Sequence, residues 1–333
     1  MADAKGVLVF GEVADGTVAA ATQELLGVGC RLASALGEPL SVALLGPGLT
    51  AAAKEAIAFG ADKVYVVDDP LLQAYQPDPY VAAMEKVCAQ ASPRILLLSQ
   101  NDVGRDLAPR LAFRLGTGLS TDCIDLCIDE SSKLLLETRP VYGGNALAQF
   151  VCEGCSPQIA TARAKAFEAL ARDDSRQGEV ISIAAGLDAS VVRAATVQKV
   201  KEETEGVRLE DAVVVVSGGR GMGGAENFQM LEALAKLFGG AVGATRAACD
   251  SGWVPATIQI GLTGKIVSPT VYFAVALSGA SQHMAGCSGA KNIIAINKDP
   301  EANIFRAAHY GVVGDYKQVL PALVEKCKEL LAG

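Results

Sequence analysis

The stretch TVYFAVALSGASQHMAG, residues 270–286, passes from an apolar run through small residues into a short polar segment. Val271 to Leu277 carry no charge and are rich in β-branched and aromatic side chains, which is typical of a strand buried on both faces. Ser278 and Gly279 predict a turn, and His283 lies at the start of a predicted helix. A buried strand that leads through a turn into a helix is the repeating unit of a parallel α/β sheet.

The last third of the chain repeats this alternation on both sides of the quoted stretch. NFQMLEALAKLF, residues 227–238, and VLPALVEKCKELL, residues 319–331, predict helices. In the first of these, the helical spacing puts one apolar set on a single face: Phe228, Leu231, Leu234, Ala235 and Phe238. Short apolar runs predict the other strands: AVVVV (212–216), AVGATR (241–246), NIIAIN (292–297) and GVVGD (311–315).

The N-terminal part of the chain also alternates between strand and helix patterns, so it predicts βαβ units. The predicted strands are 7–10, 40–45, 63–67 and 94–99, and the predicted helices are 17–36, 50–59, 79–91 and 102–115. Residues 117–165 differ, because period-2 patches around turn residues predict antiparallel hairpins added to the sheet.

The predicted fold class is α/β, with two domains that are each built on a mainly parallel sheet with flanking helices. A length of 333 residues suits two domains of ordinary size. We expect residues 1–198 to form an N-terminal domain and 209–333 to form a doubly wound C-terminal domain. The charged, polar segment 199–208 is the expected linker.

Composition and charge exclude several classes of function. The net charge is −8 and there is no basic stripe, so a nucleic-acid binder is not expected. No apolar run reaches the roughly 18 residues that indicate a membrane span. The N-terminus enters a strand pattern directly and lacks the features of a secretory signal. The chain has nine cysteines, an odd number, which do not all pair within one chain. Together with the lack of a secretory signal, this count predicts reduced thiols and a cytoplasmic protein.

Polar residues follow five successive predicted strands of the C-terminal domain. The carboxyl ends of parallel strands meet at one edge of a sheet, where ligands bind near the switch in strand order. The sequence therefore predicts a ligand-binding site along this edge. Its members are Ser217 to Arg220, Thr245 and Arg246, Ser278 to Ala280, Asn297 and Asp315.

The segment GGRGMGG, residues 218–224, contains a formal G-x-G-x-x-G between a strand and a helix. Such glycines let a backbone approach a pyrophosphate at a helix N-terminus. The dinucleotide fingerprint also requires an acidic residue after the next strand, but that strand ends at Arg246 and Asp250 comes four residues later. The motif therefore indicates an anionic ligand more strongly than it indicates NAD. GLTGK, residues 261–265, fails as a P-loop because Gln259 and Ile266 occupy required positions.

Two further patterns have a structural interpretation beside a functional one. Cys152 and Cys155, with Cys123 and Cys127, could supply four thiolates to zinc, but the second spacing is unusual and cysteines on strands commonly act as small hydrophobes. We therefore expect no metal site. The arginines of GRDLAPRLAFRLGTG, residues 104–118, are read as the solvated face of a helix.

The chain resembles the α subunit of the electron transfer flavoproteins. The resemblance is most specific between Val214 and Pro321 and looser in the N-terminal half, where it rests on GRDLAPRLA and RPVYGGNA. The strings that carry it in the C-terminal part are VVSGGRG, ENF, AVGATRAACDSGWVP, GLTGKIVSP, YFAVALSGASQHMAG and AINKDPEANIF.

This resemblance implies FAD bound across the C-terminal domain, with a separate β subunit that contacts the N-terminal domain and completes the site. It also adds the loop 260–263, which the strand-end argument does not include. In the family a Gln usually precedes the Thr of this loop, whereas this chain has Leu262. The implied FAD contacts are Arg220, Thr245, Arg246, Ile260, Gly261, Leu262, Thr263, Ser278, Gly279, Ala280, Ser281, Gln282, His283, Asn297 and Asp315.

The resemblance also implies roles for particular contacts. His283 is expected at the pyrimidine edge of the flavin, where a hydrogen bond or positive charge would favour the reduced, anionic forms. Thr263 is expected beside N5, and Arg246 over the ring as a permanent cation. Ser278 and Gln282 would bind the pyrophosphate. Asn297 and Asp315 would bind the adenosine end.

The implied function is that of an electron carrier in fatty-acid β-oxidation and related electron transport. Electrons would arrive from acyl-CoA-type dehydrogenases and leave to a quinone oxidoreductase, without the chain converting a substrate itself. A flavin-bifurcating version that uses NADH and a second FAD in the β subunit is the alternative within the family. An NAD-dependent dehydrogenase and a non-catalytic nucleotide sensor are the alternatives from other classes.

Overall fold

The computed structural model describes residues 4–142, 146–184, 186–188, 190, 192–194, 196 and 207–332. They form two compact units that divide near residue 200. Most of the linker predicted over 199–208 lies outside the described residues, so its extent stays a prediction.

The first unit contains twelve described strands and four α-helices. Its strands are β1 (Val7–Gly11), β2 (Val13–Ala14), β3 (Thr17–Val18), β4 (Leu40–Leu45), β5 (Lys63–Val67), β6 (Ile95–Ser99), β7 (Leu119–Cys123), β8 (Asp125–Ile128), β9 (Leu135–Val141), β10 (Ala146–Val151), β11 (Gln158–Ala162) and β12 (Glu179–Ser182). Its helices are α1 (Ala20–Leu36), α2 (Thr50–Ala58), α3 (Pro77–Ala91) and α4 (Asp102–Leu115).

Seven of these strands form one parallel sheet in the spatial order β12-β5-β4-β1-β6-β11-β7. Every residue of β1, β4, β6 and β11 is buried, because helices cover both faces. Local signals set the helix ends. The Asn101 side chain accepts the Gly104 N–H to cap α4, and Gly116 ends that helix at a φ of 66°. The predicted βαβ units are confirmed.

The segment 117–165 corrects the expectation that its hairpins extend the main sheet. β8, β9 and β10 form an antiparallel sheet of their own, in the order β10-β9-β8. β7 and β11 join the main sheet instead, where they pair in parallel with each other. Only Ile124 separates β7 from β8, so no turn residues in the sequence mark the point where the chain passes from one sheet to the other.

The pair Cys152 and Cys155 also departs from expectation. The two residues form a disulfide rather than reduced thiols, with a Cα–Cα distance of 5.6 Å. Both sulfurs pack on Gly118, where a Cβ atom would lie 2.5 Å from the Cys152 Sγ. The other seven cysteines are free, and Cys123 is fully buried in the core. Within the described ranges, no cluster of three or more His, Cys, Asp or Glu side chains is arranged to hold a metal ion.

The second unit is built on a five-stranded parallel sheet. Its strands are β13 (Val214–Gly218), β14 (Ala241–Ala244), β15 (Val271–Val275), β16 (Asn292–Asn297) and β17 (Tyr310–Val313). Its helices are α5 (Phe228–Leu237), α6 (Arg246–Asp250), α7 (Ser281–Met284), α8 (Ile304–Ala307) and α9 (Tyr316–Ala332). The spatial order is β14-β13-β15-β16-β17, a doubly wound order whose switch point lies between β13 and β15.

The predicted apolar face of α5 packs on this sheet. Phe228, Leu231, Leu234 and Ala235 are buried in one core, and the Phe238 ring stacks on that of Phe273 at 6.3 Å between centroids. A second core fills the opposite face of the sheet. In the part of the chain that the structure describes, no helix is both long and apolar enough to cross a membrane.

Candidate functional site

A cleft of about 1130 Å³ runs along the carboxyl edge of the second sheet. Its walls come from the turns after β13 and β15, the start of α6, the loop 259–263 and the ends of β16 and β17. It therefore lies at the switch point, where ligands bind in open α/β sheets. It is slightly larger than the range of about 300–1,000 Å³ usual for small-ligand pockets, so it can accept an extended cofactor.

The cleft brings together fourteen of the fifteen implied cofactor contacts. The exception is Ser281, whose hydroxyl donates to the neighbouring Gln282 Oε1 at 3.4 Å. The fourteen that line the cleft are Arg220, Thr245, Arg246, Ile260, Gly261, Leu262, Thr263, Ser278, Gly279, Ala280, Gln282, His283, Asn297 and Asp315.

The glycines after β13 have a structural role in addition to the predicted approach to a ligand. The backbone N–H of Gly221 donates to the Ala276 carbonyl at 3.0 Å, and a Cβ at Gly221 would lie only 2.6 Å from that oxygen. A Cβ at Gly219 would lie 2.5 Å from the same carbonyl oxygen. Residues 220–222 form a 3-10 turn, and α5 begins only at Phe228. The glycines let this turn lie close to the end of β15, and Gly221 also lines the cleft, although no α-helix begins directly after the turn.

Thr245 and Arg246 follow β14 at the start of α6. The Arg246 guanidinium lies 3.2 Å from the Asp250 carboxylate, one helical turn away, and its side chain is 67% exposed. The hydroxyl oxygen of Thr245 is buried and lacks a hydrogen-bond partner among the described residues. A buried polar atom without a partner is costly, so a ligand in the cleft would relieve that cost.

The loop 259–263 is held in place by main-chain hydrogen bonds to two other elements. The Ile260 N–H donates to the Ala244 carbonyl at 2.9 Å, and the Leu262 N–H donates to the Gln282 carbonyl at 2.7 Å. Gly261 adopts a φ of 144° and its missing Cβ would lie 2.8 Å from the Gln282 oxygen, so another residue would not fit. The loop therefore docks against α7.

The side chain of His283, on α7, also joins this helix to the loop 259–263. Its Nδ1 lies 3.1 Å from the Ile260 carbonyl, and its Nε2 lies 2.8 Å from the Tyr272 hydroxyl. A carbonyl can only accept, so Nδ1 carries the proton and Nε2 accepts from the tyrosine. Burial lowers the pKa of His283 to about 4, although the hydrogen bond to Ile260 opposes the shift.

The resemblance implies that His283 gives a ligand a hydrogen bond or a positive charge, and this geometry does not supply the charge. The imidazole is neutral, 6% exposed, and uses both nitrogens within the protein. Its contribution is to join α7, β15 and the loop 259–263 into one wall of the cleft.

Asn297 and Asp315 lie at the ends of β16 and β17, and both have local partners. The Asn297 amide donates to the Leu277 carbonyl at 2.9 Å and accepts the Asp299 N–H at 3.0 Å. The Asp315 carboxylate accepts the Lys317 N–H at 2.9 Å. Part of the role of these two residues is thus to fix the turns that shape the cleft.

Several cleft residues were missed by reasoning from the sequence. Lys298 and Lys317 supply cations near the β16 and β17 ends, and Gln259 supplies a nearly buried amide. The lysines each follow a strand-end polar residue within two positions, a signal that could have found them. Gln259 lies in a segment without a strand pattern, so its position depends on the pairing with Ala244.

The fold and cleft define a class: a doubly wound α/β protein with a binding site suited to an extended, anionic cofactor. Residues 7–188 match the electron transfer flavoprotein domain, and residues 208–288 match the electron transfer flavoprotein FAD-binding domain.

Full-length relatives agree with these matches. The chain is 43% identical to the electron transfer flavoprotein subunit alpha of Thermoanaerobacterium thermosaccharolyticum, over 99% of this chain and 100% of that protein. It is 42% identical to the protein of the same name from Bacillus subtilis, over 98% of each chain. It is 37% identical to the lactate dehydrogenase (NAD(+),ferredoxin) subunit LctC of Acetobacterium woodii, over 96% of this chain and 76% of that protein. The chain belongs to the electron transfer flavoprotein α-subunit family, and FAD is its cofactor.

The residues of the cleft fit FAD. The Thr245 hydroxyl, which has no hydrogen-bond partner among the described residues, offers a hydrogen-bonding group. Four cations offer positive charge for a diphosphate and for a ring that gains negative charge on reduction: Arg220, Arg246, Lys298 and Lys317. FAD supplies the ring that takes up and passes on electrons, whereas the protein supplies position and electrostatics.

Proposed function

We propose that this chain is the FAD-holding half of a two-subunit electron carrier, completed by a β subunit. Its donors are acyl-CoA-type dehydrogenases and its acceptor is a quinone oxidoreductase. The observation that carries the proposal is the convergence of the fourteen family positions on one cleft at the switch point.

A dehydrogenase acting through proton transfer receives less support from the cleft. Such an enzyme needs a base or acid that can reach its substrate. His283, the obvious candidate, is neutral and uses both nitrogens internally. Asp250, the acidic residue nearest the expected ribose position, pairs with Arg246. The glycine motif, moreover, packs against Ala276.

Within the cleft we propose the following arrangement, which rests on the family resemblance. Arg246 and Thr263 lie against the redox-active ring, with the Thr263 hydroxyl beside N5. The turn from Ser278 to Gln282 holds the diphosphate. Asn297 and Asp315, together with Lys298 and Lys317, flank the adenosine end.

The relative named as an NAD(+),ferredoxin-dependent enzyme subunit supports one alternative, a bifurcating carrier that uses NADH. In that version the β subunit holds a second FAD, so the nucleotide bound by the β subunit distinguishes the two.

The test is to co-express the chain with the β subunit from the same organism and to purify the complex. We expect flavin absorption bands and one FAD assigned to this chain. The complex should be reduced by an acyl-CoA dehydrogenase with its substrate, and should pass electrons to a quinone-linked acceptor. Reduction by NADH with a second FAD in the complex would favour the bifurcating version. A colourless complex would contradict both.

A further inference from the structure

We propose that Gln259 is a positioning residue, whose side-chain amide holds the Thr263 hydroxyl so that its O–H donates into the cleft. This inference rests on the proposed function, because it concerns the face of the cleft assigned to the redox-active ring. It adds a residue outside the implied cofactor contacts.

The contact itself sets the direction of the hydroxyl. The Nε2 of Gln259 donates to the Thr263 Oγ1 at 3.0 Å. An amide NH₂ can only donate, so it occupies an acceptor position of the hydroxyl oxygen. The hydroxyl has one proton, which must point away from that amide. Thr263 is exposed and lines the cleft, so the direction left open includes the cleft.

Gln259 is itself held firmly. Its backbone N–H donates to the Ala256 carbonyl at 3.1 Å, and its carbonyl accepts the Lys265 N–H at 2.8 Å. The residue is 9% exposed. Gly264 gives it room, since a Cβ there would lie 2.4 Å from the Gln259 carbonyl oxygen and 3.0 Å from its Cγ. The amide therefore starts from an anchored backbone.

A fixed donor beside a redox-active ring has a defined electrostatic effect. A hydroxyl that already points at the ring stabilises electron density arriving there, without first having to reorient. A hydroxyl released from Gln259 would rotate among several directions, and so would stabilise that density less. The amide thus acts on the ring through Thr263.

The test is a double-mutant cycle on the purified αβ complex, read as the midpoint potential for the first electron. Gln259→Met keeps the side-chain length but removes the amide donor. We expect it to lower the equilibrium constant for uptake of the first electron about ten-fold, which corresponds to about 59 mV for a one-electron step. In the Thr263→Val background the same substitution should have no further effect, whereas in the Thr263→Ser background, which keeps a hydroxyl, the effect should persist.

Gln259→Glu is the second variant. Its carboxylate can only accept, so it should turn the hydroxyl away from the cleft and lower the potential more than Gln259→Met does. Its added charge acts in every background, so the part of the shift that Thr263→Val abolishes is the part transmitted through the hydroxyl.

Equal shifts in the Thr263 and Thr263→Val backgrounds, or no shift from Gln259→Met, would overturn the proposal. Loss of FAD from both Gln259 variants would also overturn it, because Gln259 would then be an anchor. A wild-type complex without FAD would instead overturn the proposed function. If FAD binds but Thr263→Val leaves the potential unchanged, the positioning role fails while the carrier function stands.

Discussion

At the scale of single residues, His283 shows how a rare imidazole can be used for structure. It is one of two histidines in the chain. Tyr272 and the Ile260 carbonyl occupy both its nitrogens, and burial disfavours its charged form. Its effect on the cofactor should therefore come from the wall it builds and not from charge.

The first prediction concerns the protonation of His283. Its pKa falls from about 6.5 in an unfolded chain to about 4 in the folded one. Between these two pH values the imidazole is mostly protonated in the unfolded chain and mostly neutral in the folded one. The stability that His283 contributes is thus fully present above pH 6.5 and is lost as the pH falls towards 4, by up to about 3 kcal/mol.

Nitrogen-15 NMR of an αβ complex labelled on the histidines of the α chain alone should show the Nδ1–H neutral form of His283 down to pH 5. His309→Asn assigns the two signals. Titration of the His283 ring between pH 6 and 7 would contradict the structure.

The second prediction concerns the pair Arg246 and Asp250. Because the two side chains form an ion pair at the cleft, each partly offsets the field of the other. Arg246→Ala should lower the midpoint potential of the bound flavin by tens of millivolts, since a charge worth about 1 kcal/mol shifts a one-electron potential by about 40 mV.

Asp250→Asn is the matched control and should raise the potential, because it leaves the guanidinium unbalanced. Arg246→Lys should restore only part of the loss, since an ammonium does not stack on a ring as a guanidinium does. Shifts of the same sign from Arg246→Ala and Asp250→Asn, or complete loss of FAD from Arg246→Ala, would argue against a tuning role.

At the scale of elements, hydrogen bonds between the turn after β13 and the end of β15 shape one wall of the cleft. The turn after β13 donates two backbone N–H groups to the end of β15, from Gly219 to the Val275 carbonyl and from Gly221 to the Ala276 carbonyl, both at 3.0 Å. The Tyr316 hydroxyl of α9 donates to the Met222 carbonyl at 2.6 Å and holds the same turn from outside. Arg220 therefore projects from a turn that is fixed on two sides.

The third prediction tests this close contact between the turn after β13 and the end of β15. Gly221→Ala puts a Cβ 2.6 Å from the Ala276 carbonyl oxygen, so the turn must shift. We expect about 1–3 kcal/mol of destabilisation and a loss of bound FAD. Gly223→Ala is the control, because its φ of 80° costs about 1–2 kcal/mol in backbone strain while its Cβ meets nothing within 4 Å. Urea unfolding and FAD content measure both effects. Equal FAD content in the two variants would refute the role of this contact.

At the scale of the whole molecule, the cleft forms only part of an enclosure for a cofactor. Leu262 is 52% exposed and the Arg246 side chain is 67% exposed, although both line the cleft. An exposed apolar side chain at the rim of a cofactor site suits coverage by a partner. This agrees with the β subunit that we propose as the second half of the carrier.

The fourth prediction follows from this partial enclosure. The α chain alone should bind FAD weakly and lose it during gel filtration, whereas addition of the β subunit and FAD should restore a stoichiometric yellow complex. Equilibrium dialysis of FAD against the α chain and against the αβ complex measures the difference. An α chain that retains one FAD after gel filtration would contradict the proposal.

Local patterns in the sequence determined most of the elements and the family. The periodicity of NFQMLEALAKLF identifies α5, since apolar spacing records which face is buried. Strand-end polar residues such as Thr245, Asn297 and Asp315 could be placed on one edge, because parallel strands end on the same side of a sheet. Long matching strings led to the family, and with it to the loop 260–263.

Tertiary structure alone decided the order of the strands and the state of individual side chains. β7 and β8 lie next to each other in sequence but enter different sheets, a choice made by partners far along the chain. The neutral form of His283 depends on Ile260 and Tyr272, and the orientation of Thr263 depends on an amide anchored beside Ala244. Periodicity reports only whether a side chain is buried, whereas its charge and direction follow from atoms that come together when the chain folds.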